Sequence, residues 1–288
     1  MPEQPEFKLL SPKLDIVFKR LFTDNLELLS CLISDLLEIP RECTQNLVLI
    51  NNELLPEIPG SKMNRLDLRL EVGGKTVNID IQLRRHPDYA DRALYYWAKL
   101  FTSELKSGQA YAQLKKTITI NIVDFELFSS RPQLHSEIVA VIKGTDDIFS
   151  DKESIHFFEL TKVSSPKDPD PTNHQKLWLQ FLNVRDEKEL IAMENTGITE
   201  IKTAADVLRN LSREKDMQAS ALLREIELHD EASLRAEGFS AGLEQGIEQG
   251  IEQGIEQGKN STLAALAIQM KTDGYSDEQI DALLNRIR

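Results

Sequence analysis

Residues 65–82 read RLDLRLEVGGKTVNIDIQ, and this stretch decides the fold. Apolar and polar side chains alternate strictly on both sides of Gly73-Gly74, which is the pattern of two half-buried strands. Two adjacent glycines suit a type I′ turn, because both central residues take positive φ without steric cost. The stretch therefore predicts one β-hairpin with an apolar face and a polar face.

The turn also predicts the register of the hairpin. If Val72 lies opposite Lys75, each apolar residue faces another: Leu70 with Val77, Leu68 with Ile79, and Leu66 with Ile81. On the polar face Asp67 then lies opposite Asp80, with Cβ atoms roughly 4.5–5.5 Å apart, and two facing carboxylates repel. A divalent cation between them would remove the repulsion. The alternative is an ordinary solvated face on which Arg65 and Arg69 neutralise Asp67.

Composition excludes several classes of protein. The chain has 288 residues, a net charge of −13 and two cysteines, which fits a cytoplasmic protein without disulfides or a cysteine-rich zinc site. No apolar run of about 18 residues is present, and the N-terminus is too polar and acidic for a signal peptide. We therefore expect a soluble, cytoplasmic protein with no membrane association.

Charge is distributed unevenly along the chain. Residues 62–116 carry 11 basic and 6 acidic side chains, whereas the segments on either side are acidic. A phosphate backbone could be attracted to this basic segment alone. The alternative is a neutralising mixture of surface charge.

Helices and strands are predicted in the order α, α, β, β, α, β, β, β, followed by helices. Ser11-Pro12 predicts the start of the first helix, and Gly108 predicts the end of the third. The other predicted helices lie at 26–37, 88–107, 175–182, 201–211 and from about 216, and the strands after the hairpin at 116–125, 137–142 and 154–160.

Three prolines between Ser164 and Thr172 predict an extended linker. We therefore divide the chain into an α/β core (1–163), a Pro-rich linker (164–173), a helical region (174–237), a glycine repeat (238–259) and a small C-terminal helical pair (260–288).

The glycine repeat places a glycine at every fourth position from Gly238 to Gly258, each of the middle units reading Gly-Ile-Glu-Gln. A four-residue period turns about 400° in an α-helix, so the glycine stripe winds around the rod. Each interior glycine costs roughly 0.5–1 kcal/mol relative to alanine. The repeat therefore either permits close approach of a second helix or serves as a flexible spacer.

Short motifs occur in a fixed order along nearly the whole chain. These are Asp15-Ile-Val-Phe18-Lys19, Asp67-Leu-Arg-Leu, Ile79-Asp80-Ile-Gln82, Arg92-x-x-Tyr95-Tyr96, Gly108-x-x-Tyr111, Phe158-Glu159-Leu160-x-Lys162 and Trp178-x-x-Phe181-Leu182. In this order the chain resembles the PD-(D/E)XK nuclease superfamily and, within it, the Rpn family of recombination-promoting nucleases and transposases.

The resemblance implies a restriction-endonuclease-like α/β core, with a mixed sheet flanked by helices, and an all-helical C-terminal region. It implies that Asp67, Asp80 and Gln82 are the catalytic residues and that Asp67 and Asp80 bind Mg²⁺ or another divalent cation. Gln82 stands where the superfamily has lysine, and Asp80 where relatives usually have glutamate. Asp15 is a further metal-ligand candidate; alternatively it is a first-turn carboxylate favoured by the helix dipole.

DNA is the partner that the resemblance implies. The side chains that could contact it are the arginines and tyrosines around the hairpin: Arg65, Arg69, Arg84, Arg92, Tyr95 and Tyr96. The tyrosines could equally be core or rim aromatics.

The preferred hypothesis is a Mg²⁺-dependent DNA endonuclease that promotes recombination or mobile-element activity and forms a homodimer or higher oligomer through its helical tail. The first rival is a DNA-binding or regulatory protein in which Gln82 marks weak or lost catalysis. The second is an interaction protein that acts through its acidic tail.

Overall fold

A computed structural model describes residues 8–50 and 68–287, and side chains to position 284. Its first compact unit extends to Arg224, and residues 225–288 form a second. Within the described residues the helices are α1 (Asp15–Thr23), α2 (Leu26–Leu36), α3 (Tyr89–Ser103), α4 (His174–Leu182), α5 (Glu187–Glu194), α6 (Thr199–Leu211), α7 (Lys215–Thr272) and α8 (Asp277–Ile287).

The described strands form one mixed sheet in the order β1-β2-β3-β4-β6-β5. They are β1 (Val48–Leu49), β2 (Leu68–Val72), β3 (Lys75–Gln82), β4 (Thr117–Val123), β5 (His135–Ile138) and β6 (Glu153–Glu159). Strands β3, β4 and β6 are parallel, and the pairs β1–β2, β2–β3 and β5–β6 are antiparallel. The predicted mixed sheet flanked by helices is confirmed.

The hairpin has the predicted register throughout its described part, from Leu68 opposite Ile79 to Val72 opposite Lys75. Gly73 and Gly74 have φ values of +55° and +71°, as a type I′ turn requires. A Cβ on Gly73 would also lie 3.1 Å from the Cys43 carbonyl oxygen. Both the positive φ and this close contact therefore exclude a side chain at Gly73. The predicted pairs Leu66–Ile81, Asp67–Asp80 and Arg65–Gln82 include residues outside the described part.

Two apolar layers cover the sheet. Beside α3, a small cluster contains Tyr89, Ala93, Val123, Phe125, Ile155 and Phe157. The largest buried side chains elsewhere come mainly from α1, α2 and α4, where Phe22 lies between Phe18 and Trp178 with ring centroids 4.8 and 6.0 Å away. Helices α4 and α6 pack on α2, so the first compact unit continues well past the proline-rich segment.

The proline-rich segment is held against α4. Gln180 is fully buried, and its Nε2 lies 2.9 Å from Ser164 Oγ, 3.2 Å from the Ser165 carbonyl oxygen and 3.1 Å from that of Asp168. These contacts replace the backbone donors that the prolines lack. The proline-rich segment is therefore bound to α4 and belongs to the first compact unit.

Two predicted helix ends are wrong. α1 begins at Asp15 rather than at Ser11-Pro12, because Leu14 is extended and residues 11–14 form a turn closed by the Leu14 N–H and the Ser11 carbonyl. α3 ends at Ser103, five residues before Gly108. Along α3, Tyr89, Ala93 and Leu100 are buried, whereas Leu94 is 51% exposed. Strand β1 and helix α5, both short, were not predicted.

The glycine repeat is helical, since α7 runs from Lys215 to Thr272 without interruption. A Cβ placed on any of its six glycines would meet no atom within 4 Å. The residues that follow the first five glycines, Phe239, Leu243, Ile247, Ile251 and Ile255, are 54–75% exposed. None of the described helices is long and apolar enough to cross a membrane.

Candidate functional site

Asp80 and Gln82 lie side by side on the polar face of β3, where both are half-buried while Ile79 and Ile81 are buried on the opposite face. Gln82 Nε2 is 2.9 Å from one carboxylate oxygen of Asp80 and 3.2 Å from the other. The structure therefore brings two of the three predicted catalytic residues into direct contact. Asp67 and Arg65 lie outside the described residues.

The neighbouring strand supplies a polar side chain beside Asp80. Asn121 is the parallel partner of Asp80 and is buried; its Nδ2 donates to the His156 carbonyl oxygen at 3.1 Å. Its Oδ1 lies 3.5 Å from the hydroxyl of Tyr89, the first residue of α3. Asn121 and Tyr89 were not predicted to lie near Asp80. The asparagine within the apolar strand Thr-Ile-Thr-Ile-Asn-Ile-Val could have indicated position 121.

The predicted DNA-binding residues fall into different environments. Arg69 is bound to the end of α3, with its Nη2 3.0 Å from Glu104 Oε1, and its side chain is only 14% exposed. Arg84 is half-buried, and its Nη1 has no hydrogen-bond partner among the described residues. The buried Arg69 Nε likewise has no hydrogen-bond partner among the described residues, so the two arginines differ in that Glu104 holds Arg69.

Three predicted DNA-binding residues do share one surface of α3. The Arg92 guanidinium lies 5.3 Å from the centroid of the Tyr96 ring, and the Tyr95 and Tyr96 rings are 5.7 Å apart. Tyr95 is 55% exposed, whereas Arg92 and Tyr96 are half-buried. An aromatic ring of this kind can stack on the face of a nucleotide base, and a neighbouring cation can bind the phosphate.

Asp15 is bound by an arginine 209 positions later in the chain. Its Oδ2 accepts from Arg224 Nε and Nη2, both at 2.8 Å, and its Oδ1 accepts from the Ile16 N–H. Asp15 is thus a first-turn carboxylate of α1 that also anchors the beginning of α7, whose Met217 and Ala221 are buried on the same helical face as Arg224.

Asp15→Asn is expected to lower the free energy of unfolding by about 1–2 kcal/mol, because the part-buried ion pair with Arg224 is lost. Urea denaturation measures the change. Arg224→Gln should cost a similar amount, and the double variant should cost less than the sum of both. Additive losses would contradict a direct interaction between the two side chains.

The donor chemistry of Asp80 and Gln82 fits a hard divalent cation, since a carboxylate and an amide carbonyl both offer oxygen ligands. Within residues 8–50 and 68–284, no three His, Cys, Asp or Glu side chains converge as a metal site. Asp67, the other predicted metal ligand of the hairpin, lies outside these residues.

A hydrogen-bonded network centred on the buried Ser154 and His156 lies at the other edge of the sheet. Ser154 Oγ donates to Glu137 Oε1 and accepts from His156 Nε2, both at 2.7 Å. The His156 Nδ1 is then free to accept from His135 Nε2 at 3.0 Å. Burial lowers the pKa of His156 to about 4 and also lowers that of His135, so both rings are neutral at pH 7.

Glu159 and Lys162, which belong to one of the sequence motifs, form a buried ion pair with a distance of 2.6 Å. Glu159 also accepts the Leu127 N–H, and Lys162 donates to the Phe128 and Arg131 carbonyl oxygens. These two side chains fasten the loop after β4 to β6. Their role in this structure is to hold the fold rather than to act at the site.

Comparison with known protein families places the site in context. Residues 12–237 match the model of a family described as PD-(D/E)XK nuclease family transposase. No curated protein and no solved structure matches the chain. The matched region contains the hairpin and the helices α1 to α6, and it ends immediately before Gly238, so the glycine repeat lies outside it. The predicted PD-(D/E)XK-like α/β fold is confirmed.

Proposed function

The chain belongs to the PD-(D/E)XK nuclease family transposases, and on this basis we propose that it is a Mg²⁺-dependent DNA endonuclease that hydrolyses phosphodiester bonds. The observation that carries the proposal is the contact between Asp80 and Gln82 on β3. The hairpin register supports the proposal as well, because the residue pairs from Leu68–Ile79 to Val72–Lys75 are the predicted ones. We expect Asp67 to be the second carboxylate of the site.

In the proposed mechanism Asp67 and Asp80 would hold the cation, and Gln82 would contribute a neutral oxygen. A bound Mg²⁺ would supply Lewis-acid polarisation of the phosphate and acidify a water molecule. Gln82 is not a base, so it would orient groups rather than take the proton. Arg84 would bind the phosphate, whose charge grows in the transition state.

DNA would approach over α3 and the polar face of the hairpin. Arg92, Tyr95 and Tyr96 form one group there with Tyr95 exposed, and the half-buried Arg84 lies two residues beyond β3. We do not assign Arg69 to this surface in the free protein, because Glu104 holds it. Conversion of supercoiled plasmid to nicked and linear forms, in Mg²⁺ and in chelator, tests the proposal.

The rival function is DNA binding without cleavage, and the neutral Gln82 is the observation that favours it. The two are distinguished by charge changes at this position. Gln82→Lys should retain or raise cleavage, because a cation near the phosphate replaces a neutral amide, whereas Gln82→Glu should reduce it by about tenfold or more through added negative charge. Initial rates of plasmid nicking measure both; identical behaviour would remove Gln82 from the site.

We also propose that the chain self-associates through α7. Its five exposed residues from Phe239 to Ile255 make an apolar stripe, and the adjoining glycines leave room for a second helix. Six interior glycines cost roughly 3–6 kcal/mol of helix stability, which packing of a second helix would offset.

Deletion of Gly238–Lys259 should leave a folded core and reduce the oligomeric state. The deleted 22 residues make about six helical turns, so the flanking parts of α7 stay nearly in phase. Light scattering of both proteins measures the mass. As a matched control, Gly246→Ala with Gly250→Ala should favour the isolated helix yet hinder close approach of a partner. Equal monomer masses for the full-length and deleted proteins would contradict self-association.

A further inference from the structure

The contact between Gln82 and Asp80 has a defined direction. An ionised carboxylate only accepts hydrogen bonds, so the group that lies 2.9 and 3.2 Å from its two oxygens must be the NH₂ of the amide. The carbonyl oxygen Oε1 therefore points away from Asp80. In the free protein Gln82 is a donor to the carboxylate.

The amide nitrogen occupies the approach that a cation would use. It lies close to both oxygens of Asp80, which is the arrangement of a group that faces the open side of a carboxylate. Mg²⁺ binds carboxylate oxygens at about 2.0–2.1 Å and would meet these N–H groups at the same lone pairs. The Gln82 amide and a cation consequently compete for Asp80.

A glutamine can resolve this competition without moving the strand. Rotation about its terminal sp³–sp² bond is soft, and half a turn exchanges the NH₂ for Oε1. Lysine carries only donors and glutamate only acceptors, so neither could serve the carboxylate in one state and the cation in the other.

We propose that Gln82 is a two-state carboxamide switch, whose NH₂ caps Asp80 in the free protein and whose Oε1 turns towards the divalent cation when it binds. The inference rests on the proposed metal-dependent function. It assigns Gln82 a positioning role, and it gives a physical reason for glutamine at a position where the superfamily has lysine.

Side-chain amide NMR tests the switch directly. In protein labelled with ¹⁵N in its glutamine side chains, and without DNA, Mg²⁺ titration should move the Gln82 NH₂ protons upfield as the charge-assisted hydrogen bond is lost. The midpoint should equal the Mg²⁺ affinity measured by calorimetry. The exposed Gln113 is the internal control and should not move. Asp80→Asn without Mg²⁺ should already show the upfield position.

Affinity variants supply the second measurement. Calorimetry should show about tenfold tighter Mg²⁺ binding for Gln82→Glu and about tenfold weaker binding for Gln82→Lys, whose ammonium competes with the cation for Asp80 until Mg²⁺ is saturating, the condition under which its cleavage is compared with wild type. If wild-type protein binds Mg²⁺ while the Gln82 NH₂ signals stay fixed at saturation, the switch is wrong and the proposed nuclease survives. If no Mg²⁺ binding is detected at all, both the metal-dependent function and the switch are overturned.

Discussion

Asp80→Asn abolishes Mg²⁺-dependent DNA cleavage while the protein stays folded: this is the largest effect that we expect from a single substitution. Loss of a metal-binding carboxylate should reduce the rate on the order of 10³-fold, equivalent to several kcal/mol of transition-state stabilisation. Asp67→Asn should have the same consequence. Plasmid nicking by purified protein measures the rate.

The free energy of unfolding of these two variants should stay the same or rise slightly, although their activity is lost. If two carboxylates face each other, neutralising one removes repulsion, so the variant should unfold at the same or a slightly higher denaturant concentration. Asp91→Asn, which neutralises an exposed carboxylate on α3, is the matched control and should cleave at the wild-type rate. Equal cleavage by wild type and both site variants would remove Asp67 and Asp80 from the metal site.

The second large effect is loss of stability in mild acid. His156 has a folded-state pKa of about 4, below its ordinary value of 6.5, because burial disfavours the imidazolium. Above pH 6.5 the ring is neutral in both states and the stability is complete. As the pH falls from 6.5 towards 4 only the unfolded chain gains the proton, so the free energy of unfolding should fall by about 3 kcal/mol.

Denaturant unfolding at a series of pH values between 7 and 4.5 measures this slope. His156→Gln cannot titrate and should flatten it, although the variant starts less stable because its ring contacts are lost. His229→Gln alters an exposed histidine and should leave the slope unchanged. A slope in His156→Gln as steep as that of wild type would contradict the assignment.

The hairpin could be predicted from sequence because its information is local. Alternation fixed which face is apolar, and Gly73-Gly74 fixed the turn and hence the register. The order of β4, β6 and β5 in the sheet was beyond this reasoning, since parallel neighbours are joined by long connections that leave no pairing signal. Helix α3 was found, but which of its side chains are buried depends on tertiary packing against Val123, Ile155 and Phe157 of the sheet.

The candidate site was predictable only in part for the same reason. Asp80 and Gln82 lie two positions apart on one strand, so their contact follows from strand geometry. The partner of Asp15 is 209 residues away, and the partner of Arg69 is Glu104 on another element; pairs of this kind depend on tertiary packing. The contact within β3 is therefore predictable from local sequence, whereas the surroundings of Asp15 and Arg69 are not.

The central claim is that this protein cuts DNA by means of a cation held between two carboxylates. Incubation of purified full-length protein with supercoiled plasmid, with Mg²⁺ or with chelator and beside Asp67→Ala, tests it most directly. We predict nicked and linear products only for the wild-type protein with Mg²⁺. Cleavage that persists in chelator, or that Asp67→Ala retains at the wild-type rate, would contradict the claim, as would intact plasmid in every reaction.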